Sequence, residues 1–349
     1  MIARPSGALS RWLRVGLLVL GLAALAIASM PTANASGRLE QIKQRGYLVC
    51  GVAPGVVGFA AVDAKGRYSG FDIDICRAVS AAIFASADQV RFVDSSSVDG
   101  FMASPEIDLV VRRLTWTLTR EASNTLMFGP IVFYDGEGFL VPAASPISSG
   151  RDLDGKRVCV DAGEDWAGAL ARYAHANRLV VEIVVVANRG DGEKQFFNGK
   201  CDAYAADKSM LGAIRADASV PGNYRILPDQ FTKEPLAPLL RQGDDQFFQI
   251  VRWTIFVLID AEELEVTSRN VGALRSSDDP EIRALVGNGV AIGRTLGLSK
   301  DWAFDIIADV GNYREVYARN LGVGSPIKLN RGMNDLWTRG GLLYAPPVR

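Results

Sequence analysis

Strand and helix alternate twice along this chain, and no other feature limits its fold so tightly. In the first half Tyr47-Leu48-Val49-Cys50-Gly51-Val52 reads as a buried strand, and Phe71, Ile75, Ala78, Val79, Ala82 and Ile83 fall at helical spacing. Val90 to Val93 and Asp108 to Val111 read as two more strands. The second half repeats the pattern: a strand over Arg157 to Val160, an amphipathic helix over Trp166 to Ala176, a strand over Val181 to Val186 expected to be fully buried, and a strand from Cys201 to Ala206 that stops at Asp207. Such alternation predicts an α/β protein with mostly parallel sheets, whose ligands gather at the carboxyl ends of the strands. Arg112, Gly163 and Asp207 stand at such ends.

The first 35 residues read as a secretory signal peptide. Arg4, Arg11 and Arg14 precede an apolar run over Val15 to Ala28 that is too short to span a bilayer comfortably, and Ala33-Asn34-Ala35 has the A-x-A form of a cleavage site. Export from the cytoplasm follows, with no lipid anchor at the cut and no later apolar run of spanning length. The rest of the 349-residue chain is long for one core and natural for two lobes. Taking three arginines from 38 basic and 39 acidic residues leaves a net charge of about −4, which argues against a nucleic-acid or anionic-membrane partner.

The four cysteines allow three pairings. Cys50 with Cys76 and Cys159 with Cys201 is the favoured set, because each loop then closes within one lobe and an exported protein permits disulfides. Neither pair has metal-ligand spacing, and the one histidine, His175, lies on the helix over Trp166 to Ala176 as a surface residue. No metal or other cofactor is expected, and no Ser-His or Cys-His triad.

The stretch Val110 to Arg120, VVRRLTWTLTR, is the leading candidate site. Thr117 reads as the N-cap of a helix whose third residue is Arg120. A cation in the first helical turn opposes the macrodipole, so Arg120 and the free helical N–H groups are read as gripping one anion, a carboxylate by the shape of the guanidinium fork. The alternative is a solvated arginine paired with Glu121. After this stretch, Ile131 to Tyr134 and Gly138 to Val141 run as extended chain, and polar residues Ser145 to Gly150 mark a crossing between lobes. The expected division is a leader over 1–35, a first lobe over 36–141, a second over 142–232, and a return over 233–349 with helices over Asp245 to Ile259 and around Lys300 to Asn320.

Several motifs carry a family resemblance: Gly66 to Ala78 (GRYSGFDIDICRA), Trp116-Thr117 with Arg120, Tyr134-Asp135-Gly136-Glu137-Gly138-Phe139, Cys201-Asp202-Ala203-Tyr204 with Asp207, and Lys233-Glu234-Pro235 through Arg241 to Gln246. In this order they resemble the solute-binding proteins of polar amino-acid ABC importers, and among them the general L-amino-acid-binding proteins with a long C-terminal extension. The resemblance implies a two-lobed periplasmic binding protein fold of type II, with the ligand cleft between lobes. It also implies a monomer that closes on an L-amino acid and delivers it to a membrane permease. By the same resemblance Arg120 clamps the ligand carboxylate, Thr115 adds a hydroxyl, and Asp207 takes the ammonium from the other lobe; Asp207 also reads as a plain helix cap. Phe59 reads either as a wall of the side-chain pocket or as core, and Trp116 as packing.

Three features depart from the family pattern. Arg113 and Leu114 stand where a small polar residue and a threonine are usual, Gly163-Glu164-Asp165 replaces Gly-Thr-Thr, and Gly100 to Asp108 is short. Arg112 and Arg113 therefore add cations to one cleft wall where Glu164 and Asp165 add anions to the other; in a closed form Arg113 is expected to pair with Glu164 or Asp165 across the cleft, the alternative being that these side chains point to solvent at the rim. The reading is a binding protein rather than an enzyme. The alternative is a periplasmic dehydratase of the cyclohexadienyl type on the same fold, with Glu164 as general acid, or a homologue with altered or lost ligand binding.

Overall fold

In the computed structural model the described residues are 37–95, 97–122, 125–163, 165–288 and 292–348. The leader and Glu164 lie outside them. The fold is α/β, with two five-stranded sheets flanked by helices. The first-lobe strands are β1 (Leu48–Val52), β2 (Ala61–Val62), β3 (Tyr68–Ser69), β4 (Val90–Asp94), β5 (Leu109–Val110), β6 (Leu126–Phe128) and β7 (Phe133–Asp135). In the second lobe they are β8 (Glu137–Pro142), β9 (Arg157–Asp161), β10 (Glu182–Val186), β11 (Ala203–Asp207) and β12 (Tyr224–Ile226), after which β13 (Glu234–Leu236) and β14 (Leu239–Arg241) return.

The first sheet has the order β4-β1-β5-β14-β6 and the second β10-β9-β11-β8-β12. β1 pairs parallel with both β4 and β5, and β9 with both β10 and β11, while β14 and β8 run antiparallel to their neighbours. All five residues of β1 are buried, which is why it reads as an uninterrupted apolar run. The helix Phe71–Phe84 lies against it, with Phe71, Ile75, Ala78, Val79 and Ala82 buried. Gly70 precedes that helix at φ 136°, and a Cβ there would fall 2.1 Å from the Phe59 carbonyl oxygen, so only glycine permits this approach. Both expected disulfides form, Cys50–Cys76 tying β1 to this helix and Cys159–Cys201 closing within the second lobe.

Three expectations need correction. Gly138 to Val141 belong to β8, which pairs with β11 and β12 of the second sheet, so the chain changes sheet at Gly136 and not at 142. An extended run carries no mark of which sheet will take its hydrogen bonds. The strand β10 is not fully buried: it is an edge strand, and Val185 is 55% exposed. The helix around Lys300 to Asn320 is two helices, Trp302–Val310 and Tyr313–Asn320, broken at Gly311 (φ 88°) and restarted by an Asn312 and Glu315 capping box. The second of these buries Tyr313 and Tyr317 against Phe71 and Phe133, which docks the C-terminal segment on the first lobe.

Candidate functional site

The chain leaving β5 carries Arg112 and Arg113 and is then fastened to the returning strand. The Ala237 N–H donates to the Leu114 carbonyl at 3.1 Å, the Trp116 N–H to the Pro235 carbonyl at 2.8 Å, and Thr115 bridges Leu236. This brings the Thr115 hydroxyl to Glu234, to which it donates at 2.6 Å. Arg120 follows in the helix Leu118–Ala122, with the Thr117 hydroxyl accepting from its N–H at 3.2 Å as the cap reading requires. One turn of helix sums few peptide dipoles, so the expected sharing of an anion with helical N–H groups is not carried by this short element. The Arg120 guanidinium donates through Nη1 to the Thr115 carbonyl at 3.0 Å, which holds it beside Thr115.

Arg113 adopts a left-handed backbone, φ 55°, a region unfavourable for a side chain with a Cβ. Its guanidinium lies 5.5 Å from the centre of the Phe59 ring. Phe59 is fully buried, edge to face with Phe71 and Phe133, so of the two readings for it the core one holds. Below the arginines lies Asp72, 3% exposed, whose carboxyl burial pushes up to about 7 against the opposing pull of Arg113 and Arg112. Burial also lowers the Arg112 guanidinium, and repulsion from Arg113 and Arg120 adds to it. The three arginines therefore share one neighbourhood, and the buried Arg112 Nε has no hydrogen-bond partner among the described residues.

From the other lobe β11 ends on Asp207, at the cap position of the helix Lys208–Asp217, yet its side chain makes no capping hydrogen bond. Asp207 stands directly opposite Glu137 in the antiparallel pair of β11 with β8, which puts both side chains on one face of the sheet. Glu137 is 1% exposed, and neither carboxylate oxygen has a hydrogen-bond partner among the described residues. Burial pushes its carboxyl up to about 8, with repulsion from Asp207, Glu234 and Asp165 adding to the rise. A chain of neighbours thus runs from Arg120 through Thr115, Glu234 and Glu137 to Asp207.

Gly163 packs under Trp166, whose ring would lie 2.9 Å from a Cβ at that position. Asp165 bonds to Arg172 at 2.6 Å rather than to Arg112 or Arg113. Both side chains of that pair are exposed, and Asp165 stands at the N-cap of the helix that carries Arg172. Trp116 stacks on Phe128 and donates its indole N–H to Glu121 at 2.8 Å, a packing role. His175 is exposed, and among the described residues no group of His, Cys, Asp and Glu is arranged to hold a metal ion.

Residues 48–271 match the bacterial extracellular solute-binding proteins, family 3. The chain belongs to this family. It is 41% identical over 334 residues to the general L-amino acid-binding periplasmic protein AapJ of Rhizobium johnstonii, covering 95% of this chain and 97% of that one. It is 40% identical over 332 residues to the glutamate/glutamine/aspartate/asparagine-binding protein BztA of Rhodobacter capsulatus, covering 94% and 98%. Among solved structures, a periplasmic binding protein of an ABC transporter from Brucella ovis with glutathione bound superposes at a TM-score of 0.80 with 41% identity, over 90% of this chain and 100% of that one.

Within this solute-binding protein, sequence reasoning missed Glu137 and Glu234. Both lie inside motifs that carried the resemblance, but they are 97 residues apart, and nothing local to either shows that they face one another. An acid at the first position of a strand, as Glu137 is in β8 and Glu234 in β13, was the signal available.

Proposed function

We propose that this protein binds an L-amino acid in the cleft between its lobes, closing by a hinge at Gly136 and at the chain entering β13, and delivers it to the membrane permease of an ABC importer. The reading includes export to the periplasm through residues 1–35, action as a monomer, and binding without catalysis. Its lobes are 37–135 with the return from 234, and 137–232. The observation that carries the reading is the sequence of groups from Arg120 to Asp207: a guanidinium suited to a carboxylate at one end, a carboxylate suited to an ammonium at the other, and the Thr115 hydroxyl between. The relatives named for amino-acid binding support it. Arg112 and Arg113 beside Arg120 exceed what one α-carboxylate needs, and this favours ligands with a second carboxylate, such as glutamate, aspartate or glutathione.

A thermal-shift screen of the chain from Ser36 to Arg349 against the twenty amino acids and glutathione tests the reading. At least one should raise the melting temperature by several degrees. Turnover of prephenate or arogenate by the same protein, with no amino acid stabilising it, would favour the dehydratase instead.

A further inference from the structure

Glu137 has no task in the fold that its burial explains. It is 1% exposed, both oxygens are without a partner among the described residues, and its own N–H is already satisfied by the Thr232 hydroxyl at 2.8 Å. A carboxylate left unpaired at such depth costs folding free energy, so a structural residue at this place would be glutamine or an apolar side chain. The charged groups that act on it are Asp207 from β11, Glu234 from β13, Arg172 from the helix Trp166–Asn177 and Asp165 at that helix's N-cap. Arg172 is engaged with Asp165, and Lys208, which packs on the neighbouring Gly138, directs its Nζ to the Pro228 carbonyl at 2.8 Å. Asp207, Glu234 and Asp165 thus all disfavour a charge on Glu137, Arg172 opposes them, and no cation is hydrogen-bonded to either Glu137 oxygen among the described residues.

We propose that Glu137 is a second carboxylate of the ammonium subsite, receiving the ligand's amino group together with Asp207, and that arrival of the ammonium expels the proton that Glu137 carries in the unliganded protein. This rests on the amino-acid reading above. The register sets Glu137 directly opposite Asp207 on one sheet face, a placement that lets both side chains reach one –NH3+ group. Before the ligand enters, burial, with repulsion from Asp207, Glu234 and Asp165 adding to it, keeps the proton on Glu137; a cation seated between the two carboxylates reverses that balance and the proton leaves to solvent. Binding is then linked to pH: affinity rises as pH rises toward the range in which Glu137 ionises unaided, and levels off beyond it.

The test is titration calorimetry from pH 5.5 to 8 in buffers of different ionisation enthalpy. The probes are the eighteen L-amino acids other than histidine and cysteine, none of which titrates in that window. Wild type should release close to one proton per ligand at pH 6 and gain up to about tenfold in affinity per pH unit below the ionisation range of Glu137. Glu137→Gln should release none, show a flat affinity profile, and bind at least tenfold more weakly at pH 8. Wild-type binding without proton release, or Glu137→Gln keeping the wild-type proton count, overturns this proposal and leaves the amino-acid reading standing. No binding of any probe by wild type overturns both. If Glu137→Gln does not fold, the wild-type profile decides alone, a flat one being contrary.

Discussion

The Thr115 hydroxyl donates to the Glu234 carboxylate at 2.6 Å across 119 residues of sequence. This joins the loop that leads to Arg120 to the strand β13. Replacing Thr115 by Val should cost about 1–2 kcal/mol of stability, since a part-buried bond to a charged acceptor is lost. Thr115→Ser should recover most of it. Urea unfolding at pH 7 measures both, and a valine variant within about 0.3 kcal/mol of wild type would show the bond to be incidental.

Arg120 and Asp207 sit at the two ends of the candidate site. Arg120→Ala should weaken ligand binding by at least about 2 kcal/mol, because a desolvated carboxylate is left unpaired. Asp207→Asn should do likewise. Calorimetry with a ligand from the screen measures this, and a variant that binds like wild type removes that residue from the site.

Asp165 is engaged with Arg172, while Arg113 lies over Phe59 within the field of Asp72. A double-mutant cycle on Arg113 and Asp165 should therefore give a coupling below about 0.3 kcal/mol, and one on Arg113 and Asp72 at least about 0.5 kcal/mol. The reverse order would restore the ion pair across the cleft.

Stability should fall as pH rises from about 4.5 to about 8. Burial holds the carboxyls of Asp72 and Asp260 at about 7 and of Glu137 at about 8, each above its ordinary value. Between those values the folded chain binds more protons than the unfolded one, so their contribution is fully present at low pH and is lost as pH climbs through the folded values. Glu137→Gln should remove part of the slope, leaving the variant more stable than wild type by roughly 2–4 kcal/mol at pH 8.5 and equal to it near pH 4. Melting temperatures across this range, without ligand, measure the difference.

The alternation of strand and helix was legible in the sequence because it is written in short-range periodicity, and so was the pairing of Cys50 with Cys76 and Cys159 with Cys201, because each joins neighbouring elements of one lobe. The Thr117 cap before Arg120 is equally local. What depended on contacts between distant segments had to await the tertiary structure. A strand such as β8 has the same apolar pattern whichever sheet accepts it, and β10 reads as buried because periodicity does not say which strand is at an edge. Phe59 went to the core because Phe71 and Phe133 meet its ring edge to face. Above all, Glu137 is one acid among 39 acidic residues until the antiparallel register sets it opposite Asp207 and the return of β13 brings Glu234 beside them. The charge of a side chain is a property of the sequence, but the work needed to keep it charged depends on the burial and neighbours that only the fold supplies.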